Sequence, residues 1–134
     1  MVAKGDGIKI LIVDDNPDDI EITRIVLGEA GWEVALETAP CGEAACDRLR
    51  MENDLPALIL LDLKTPGMGG LDTLRWIRAD TRLKQIPVIM VTASSFEKDE
   101  KEAYENGADA FLYKAFDIDQ FSHDLDSLLQ HFLK

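Results

Sequence analysis

Short apolar runs recur along this chain, each followed by a stretch of helical length, and that alternation restricts the fold more than any other feature. Ile8-Lys9-Ile10-Leu11-Ile12-Val13 is brief, rich in β-branched residues and closed by Asp14 and Asp15, as suits a buried strand. Ala57-Leu58-Ile59-Leu60-Leu61-Asp62 follows Pro56 and is the most apolar run; Pro87-Val88-Ile89-Met90-Val91-Thr92 and Ala110-Phe111-Leu112-Tyr113-Lys114 repeat the pattern. A run without polar alternation predicts a strand buried on both faces, as in a parallel sheet. Trp32 to Thr38 alternates and reads as a weaker, more exposed strand.

The intervening segments carry helix signals. Asn16 can cap a helix that Pro17 begins, with Asp18 and Asp19 complementing the positive end of its dipole and Gly31 as its stop. Ile20, Thr23, Leu27 and Ala30 form its inward stripe. Gly42 to Glu52 is a second helix, anchored by Ala45 and Leu49. Pro66-Gly67-Met68-Gly69-Gly70 is a loop before a third helix lined by Leu71, Leu74 and Ile77. Glu97 to Asn106 is helical but very polar, with Ala103 and Tyr104 as anchors and a pairing of Glu97 with Lys101. The last helix has the strongest start: Asp117 as cap, Gln120 in capping-box position, and Phe116 and Phe121 placed for a staple. Its stripe is Ile118, Phe121, Leu125, Leu128, Leu129 and Phe132.

Strand and helix thus alternate five times through the 134 residues. The expected fold is α/β: a doubly wound, five-stranded parallel sheet of order 2-1-3-4-5, flavodoxin-like, with right-handed crossovers. One domain is expected over residues 1–134, its core at about 8–133, with no output domain after the last helix.

A formal net charge of −12 argues against electrostatic binding to nucleic acid or anionic membrane, and leaves room for a metal cation or a basic partner. Cys41 and Cys46 form no disulfide framework and no zinc-ligand pattern; both read as small apolar residues. The apolar run Ile8 to Val13 is too short for a signal peptide, and no stretch approaches the roughly 20 apolar residues of a membrane span, so the cytoplasm is the expected location.

In a doubly wound sheet, ligands bind beyond the carboxyl ends of the strands, where strand order reverses. Asp14 and Asp15 end the first strand and Asp62 the third, so three carboxylates converge there. Their mutual repulsion requires a raised pKa or a cation. Oxygen-only ligands beside a wide loop favour Mg²⁺, which keeps waters and likes phosphate oxygens. An aspartate can attack phosphorus to form an acyl phosphate. Thr92 and Lys114, at the ends of the fourth and fifth strands, supply a hydroxyl and an ammonium for the phosphoryl oxygens.

These residues and their surroundings resemble the receiver domains of two-component response regulators over nearly the whole chain, Ile8 to Phe132. The resemblance rests on Ile10-Leu11-Ile12-Val13-Asp14-Asp15, Leu60-Leu61-Asp62-Leu63 with Pro66-Gly67-Met68, Val91-Thr92-Ala93, and Phe111-Leu112-Tyr113-Lys114. The Asn16-Pro17-Asp18-Asp19 opening looks like the single-domain regulators, some of which serve phytochrome-type kinases. The resemblance implies a phosphoacceptor switch that assists its own phosphorylation and dephosphorylation without being an enzyme. Asp62 would accept the phosphoryl group from a sensor histidine kinase or phosphotransfer protein. Asp15 and Asp62 would ligate Mg²⁺ with the backbone carbonyl of Lys64, Asp14 acting through water. Thr92 and Lys114 would contact the phosphoryl group, and Phe111 would be the switch aromatic. The surface of the fourth helix, fifth strand and fifth helix would then bind an unknown downstream protein, the domain itself being a monomer or weak homodimer.

The chain departs from that pattern in three places. Ala115 replaces a proline that often follows a cis peptide, which predicts a rearranged or strained loop after Lys114. Lys64 puts an ammonium two residues past the acceptor, within reach of the phosphoryl group or the metal site. Gly69-Gly70 replaces the commoner acid-glycine pair and should loosen its loop. Three other readings compete. A receiver-like module could bind partners without phosphorylation. An aspartyl-phosphate phosphatase of the haloacid-dehalogenase type would want an acid two residues after its nucleophile, where Lys64 and Asn16 stand. A flavodoxin-like carrier would need a phosphate-cradling loop where Asp14-Asp15-Asn16-Pro17 would repel the cofactor.

Overall fold

Residues 4–51, 53–93, 97–114 and 117–133 are described in a computed structural model of the chain. Strands β1 (Lys9–Val13), β2 (Ala35–Ala39), β3 (Leu58–Asp62), β4 (Val88–Thr92) and β5 (Ala110–Tyr113) alternate with helices α1 (Pro17–Glu29), α2 (Gly42–Met51), α3 (Gly70–Ala79), α4 (Glu97–Glu105) and α5 (Ile118–Phe132). All strand pairs are parallel and the order is β2-β1-β3-β4-β5, the expected doubly wound sheet.

The unbroken apolar runs become strands covered on both sides. Successive side chains point to opposite faces, so Leu11, Val13, Ile59, Leu61, Val88 and Met90 pack with Ala45 and Leu49 of α2, Leu74 and Ile77 of α3, and Ala103 of α4. Ile10, Ile12, Leu58, Leu60, Ile89 and Val91 face the other way, onto Val26 and Leu27 of α1 and Phe121, Leu125 and Leu129 of α5. The site must therefore lie at the sheet's end, because neither face is open.

The expected local signals hold at several points. Asn16 Oδ1 accepts the backbone N–H groups of Asp18 and Asp19 at 2.9 and 3.4 Å, capping α1. Asp117 caps α5 by accepting the Gln120 N–H at 3.2 Å, but the Gln120 side chain turns forward to Asp124 instead of back to the cap. The capping box is thus half made. Phe116 and the peptide after Lys114 lie outside the described residues, as does the side-chain pairing of Glu97. Pairs Lys98–Glu102 and Lys101–Glu105 run along α4 instead.

Three expectations are corrected. β2 starts at Ala35, not Trp32, because Trp32 is buried and its backbone bridges Lys4 outside the sheet. The Trp32 indole N–H donates to Asp126 of α5 at 2.7 Å, and Lys4 lies over its ring while pairing with the same carboxylate. Tyr104 does not anchor α4; it is exposed, and Ala103 alone of the two is buried. Gly70 is not a source of looseness but a packing requirement. A Cβ there would sit 2.5 Å from the Asp62 carbonyl oxygen and 2.7 Å from Leu63 Cα, so α3 can close on the end of β3 only with glycine.

Arg78 ties two connections together, the one between α3 and β4 and the one between α4 and β5. Its guanidinium donates to the carbonyls of Gly107, Lys84 and Ile86 and pairs with Asp109 at 2.6 Å. Methionine would keep the stem but leave those acceptors without the fork. Arg78→Met should cost about 2 kcal/mol, read as a lower urea midpoint with unchanged slope.

Candidate functional site

Register brings the acids together. Val13 of β1 stands opposite Leu61 of β3, so Asp14, the next residue, leaves the sheet beside Asp62. Carboxylate oxygens of Asp14, Asp15 and Asp62 lie within 4.8 Å of one another. Asp14 is buried, Asp62 half-buried and Asp15 exposed, so the group opens to solvent on the Asp15 side. Asp14 is fixed at both oxygens: Oδ1 accepts the Asn16 N–H at 2.9 Å and Oδ2 the Lys114 ammonium at 2.8 Å.

Lys114 follows β5 and reaches across the end of the sheet. Its Nζ also pairs with Asp19 of α1 at 2.8 Å and stands 3.9 Å from Asp62 Oδ2. Its backbone N–H donates to the Thr92 carbonyl at 2.7 Å, which joins the ends of β4 and β5. Thr92 itself is buried as the last residue of β4. Phe111 lies earlier in β5, partly buried against the core on the α2–α4 side. Lys64 has an exposed side chain, and its backbone N–H donates to Asp62 Oδ1 at 3.2 Å.

Burial is the largest influence on the Asp62 carboxyl and pushes its pKa up. The Lys114 ammonium and the Lys64 N–H pull it down, Asp14 and Asp15 push it up again, and the balance lies above the ordinary aspartate value. Burial also works against the Lys114 charge. The hydrogen bonds it donates to Asp14 and Asp19, with the field of Asp62, outweigh it and hold the ammonium above the usual lysine range. Three carboxylates whose oxygens lie this close, with desolvation disfavouring the charge of Asp62, are a fitting ligand set for a hard cation.

Two features escaped the sequence reading. Asp19 is taken there only as a helix-dipole residue, yet it is the second partner of Lys114. Glu43, in the first turn of α2, accepts the Met68 N–H at 3.0 Å and so tethers the loop after β3. No local signal marks either role, since each bond spans distant segments. The cysteines are free; Cys46 is buried with its Sγ 4.0 Å from Met68 Sδ.

The family description for the response regulator receiver domain matches residues 10–126. The chain belongs to this family. The polar-differentiation response regulator DivK of Brucella ovis is 31% identical over 120 residues, covering 90% of this chain and 94% of DivK. The phosphorylated cyanobacterial phytochrome response regulator RcpA is similar in structure, with TM-score 0.85 and 29% identity over 94% of each chain. The Mn²⁺-bound form of response regulator Rcp1 has TM-score 0.83 and 28% identity, again over 94% of each chain. Receiver domains are phosphoacceptor signalling domains rather than conventional enzymes, and their acidic cluster binds Mg²⁺. No described helix of this receiver domain is long and apolar enough to cross a membrane.

Proposed function

We propose that this receiver domain takes a phosphoryl group onto Asp62 from the phosphohistidine of a sensor kinase or phosphotransfer protein. The observation that carries this reading is the Lys114 ammonium 3.9 Å from Asp62 Oδ2, beside carboxylate oxygens grouped within 4.8 Å. Asp14, Asp15, Asp62 and the Lys64 carbonyl would hold Mg²⁺, which supplies charge neutralisation for phosphoryl oxygens when bound. A carboxylate oxygen of Asp62 bonds to phosphorus as the donor's P–N bond breaks and its electron pair leaves with the imidazole. Lys114 and the Thr92 hydroxyl hold the equatorial oxygens.

Thr92 and Phe111 then carry the change to the surface of α4, β5 and α5. Tyr104 and Tyr113 are exposed on α4 and β5, where a downstream protein would dock. The relatives support the chemistry: one similar structure is of a phosphorylated regulator and another of a Mn²⁺-bound one.

Incubation with phosphoramidate and Mg²⁺, followed by intact mass, should add one phosphoryl group per chain. Chelation of Mg²⁺ with EDTA should reduce uptake by at least about a hundredfold. An unmodified mass with Mg²⁺ present would leave only an interaction module that works without phosphorylation.

A further inference from the structure

The Lys114 ammonium is not held evenly. Its Nζ lies 2.8 Å from Asp14 Oδ2 and 2.8 Å from Asp19 Oδ2, but 3.9 Å from Asp62 Oδ2. Asp14 belongs to the acid cluster, whereas Asp19 stands outside it in the first turn of α1. Helix capping does not require Asp19 to reach Lys114. Asn16 already caps α1, and Asp18 offers a second acid to the helix dipole. The Asp19 backbone is fixed as well, because its carbonyl accepts the Thr23 hydroxyl at 2.9 Å.

We propose that Asp19 is a positioning residue that draws the Lys114 ammonium away from Asp62 and thereby slows phosphoryl uptake. The proposal rests on Asp62 being the phosphoacceptor. In the step concerned, an Asp62 carboxylate oxygen bonds to phosphorus while the P–N bond of phosphoramidate breaks and its electron pair leaves with ammonia; nothing is oxidised or reduced. Negative charge spread over the equatorial oxygens calls for the ammonium. An ammonium shared between two other carboxylates answers that call less well, and a carboxylate beside an anionic donor repels it. The Asp19–Lys114 pair borders an open cleft of about 220 Å³ between α1 and α5, so solvent moderates both effects.

The test compares phosphoramidate uptake rates by intact mass at saturating Mg²⁺ and physiological ionic strength. Asp19→Asn keeps the side-chain shape and should react roughly three- to tenfold faster than wild type. Asp18→Asn removes the same charge one residue away, at an exposed position outside the group of acids around Lys114, and should stay within about twofold of wild type, as screening of an exposed charge implies. Asp19→Glu keeps the charge and should also stay within about twofold, since it preserves the counter-ion. An Asp19→Asn rate equal to or below wild type overturns the proposal. So does equal acceleration by Asp18→Asn, which would make net charge the cause. Failure of the wild type itself to take up phosphorus overturns the Asp62 assignment instead, so the two failures are distinct.

Discussion

Asp62→Ala takes up no phosphoryl group under conditions that modify every wild-type chain, and Asp62→Asn unfolds at a higher temperature than wild type at neutral pH. The first outcome follows from which carboxylate has a usable oxygen. Both oxygens of Asp14 are engaged, one by the Asn16 N–H and one by Lys114. Asp62 Oδ1 accepts the Lys64 N–H at 3.2 Å, whereas Oδ2 stands 3.9 Å from the Lys114 ammonium, beyond direct hydrogen-bond distance. The second outcome follows from the pKa. Burial, with Asp14 and Asp15, raises the folded-state value above the unfolded one despite Lys114. The stability Asp62 contributes is therefore fully present below its unfolded pKa and is lost as pH rises through the folded pKa. At neutral pH the fold carries the whole cost of ionising a half-buried carboxyl. Asparagine removes that cost, so the melting temperature should rise by a few degrees at neutral pH and converge with wild type in acid. A lower melting temperature for Asp62→Asn at neutral pH would mean that the carboxylate stabilises the fold. Lost phosphoryl uptake with gained stability is the pairing expected where a half-buried carboxyl is kept ionised for function.

The acid cluster was legible in the sequence because only topology was needed to assemble it. Asp14, Asp15 and Asp62 terminate strands whose apolar runs announce a parallel sheet, and the strand order makes their ends neighbours. Side-chain reach was not legible in the same way. Asp19 and Lys114 are separated by 95 positions and meet because a lysine stem crosses from the end of β5 to the first turn of α1. Arg78 has backbone carbonyls as partners, and carbonyls carry no residue-type signal. The weak second strand was misplaced for a related reason. Trp32 has strand propensity, but its indole finds Asp126 and its backbone finds Lys4, and those long-range contacts outweigh propensity.

Leu125→Ala should destabilise the domain by about 2–5 kcal/mol, whereas Ile118→Ala should change stability by less than about 0.5 kcal/mol. Helical periodicity places both residues on one apolar stripe of α5, so periodicity alone predicts similar costs. The structure separates them. Leu125 is 0% exposed in the core that α1 and α5 form with the sheet, packed in the same cluster as Ile10, Ile12 and Phe121. Truncating it removes buried methyl groups and leaves a cavity between helix and strands that cannot collapse without moving a central strand. Ile118 is 53% exposed in the first turn of α5, where it borders the cleft beside Asp19 and Lys114. Its side chain has little buried contact to lose. Because a domain of this kind has only about 5–15 kcal/mol in total, the Leu125 variant should melt well below wild type while Ile118→Ala melts like wild type. Equal urea midpoints for the two variants would place the inner face of α5 elsewhere. The contrast also locates where the helix stops serving the core: from Phe121 onward it holds the sheet, and before that its apolar residue is left at the rim of the cleft beside Lys114.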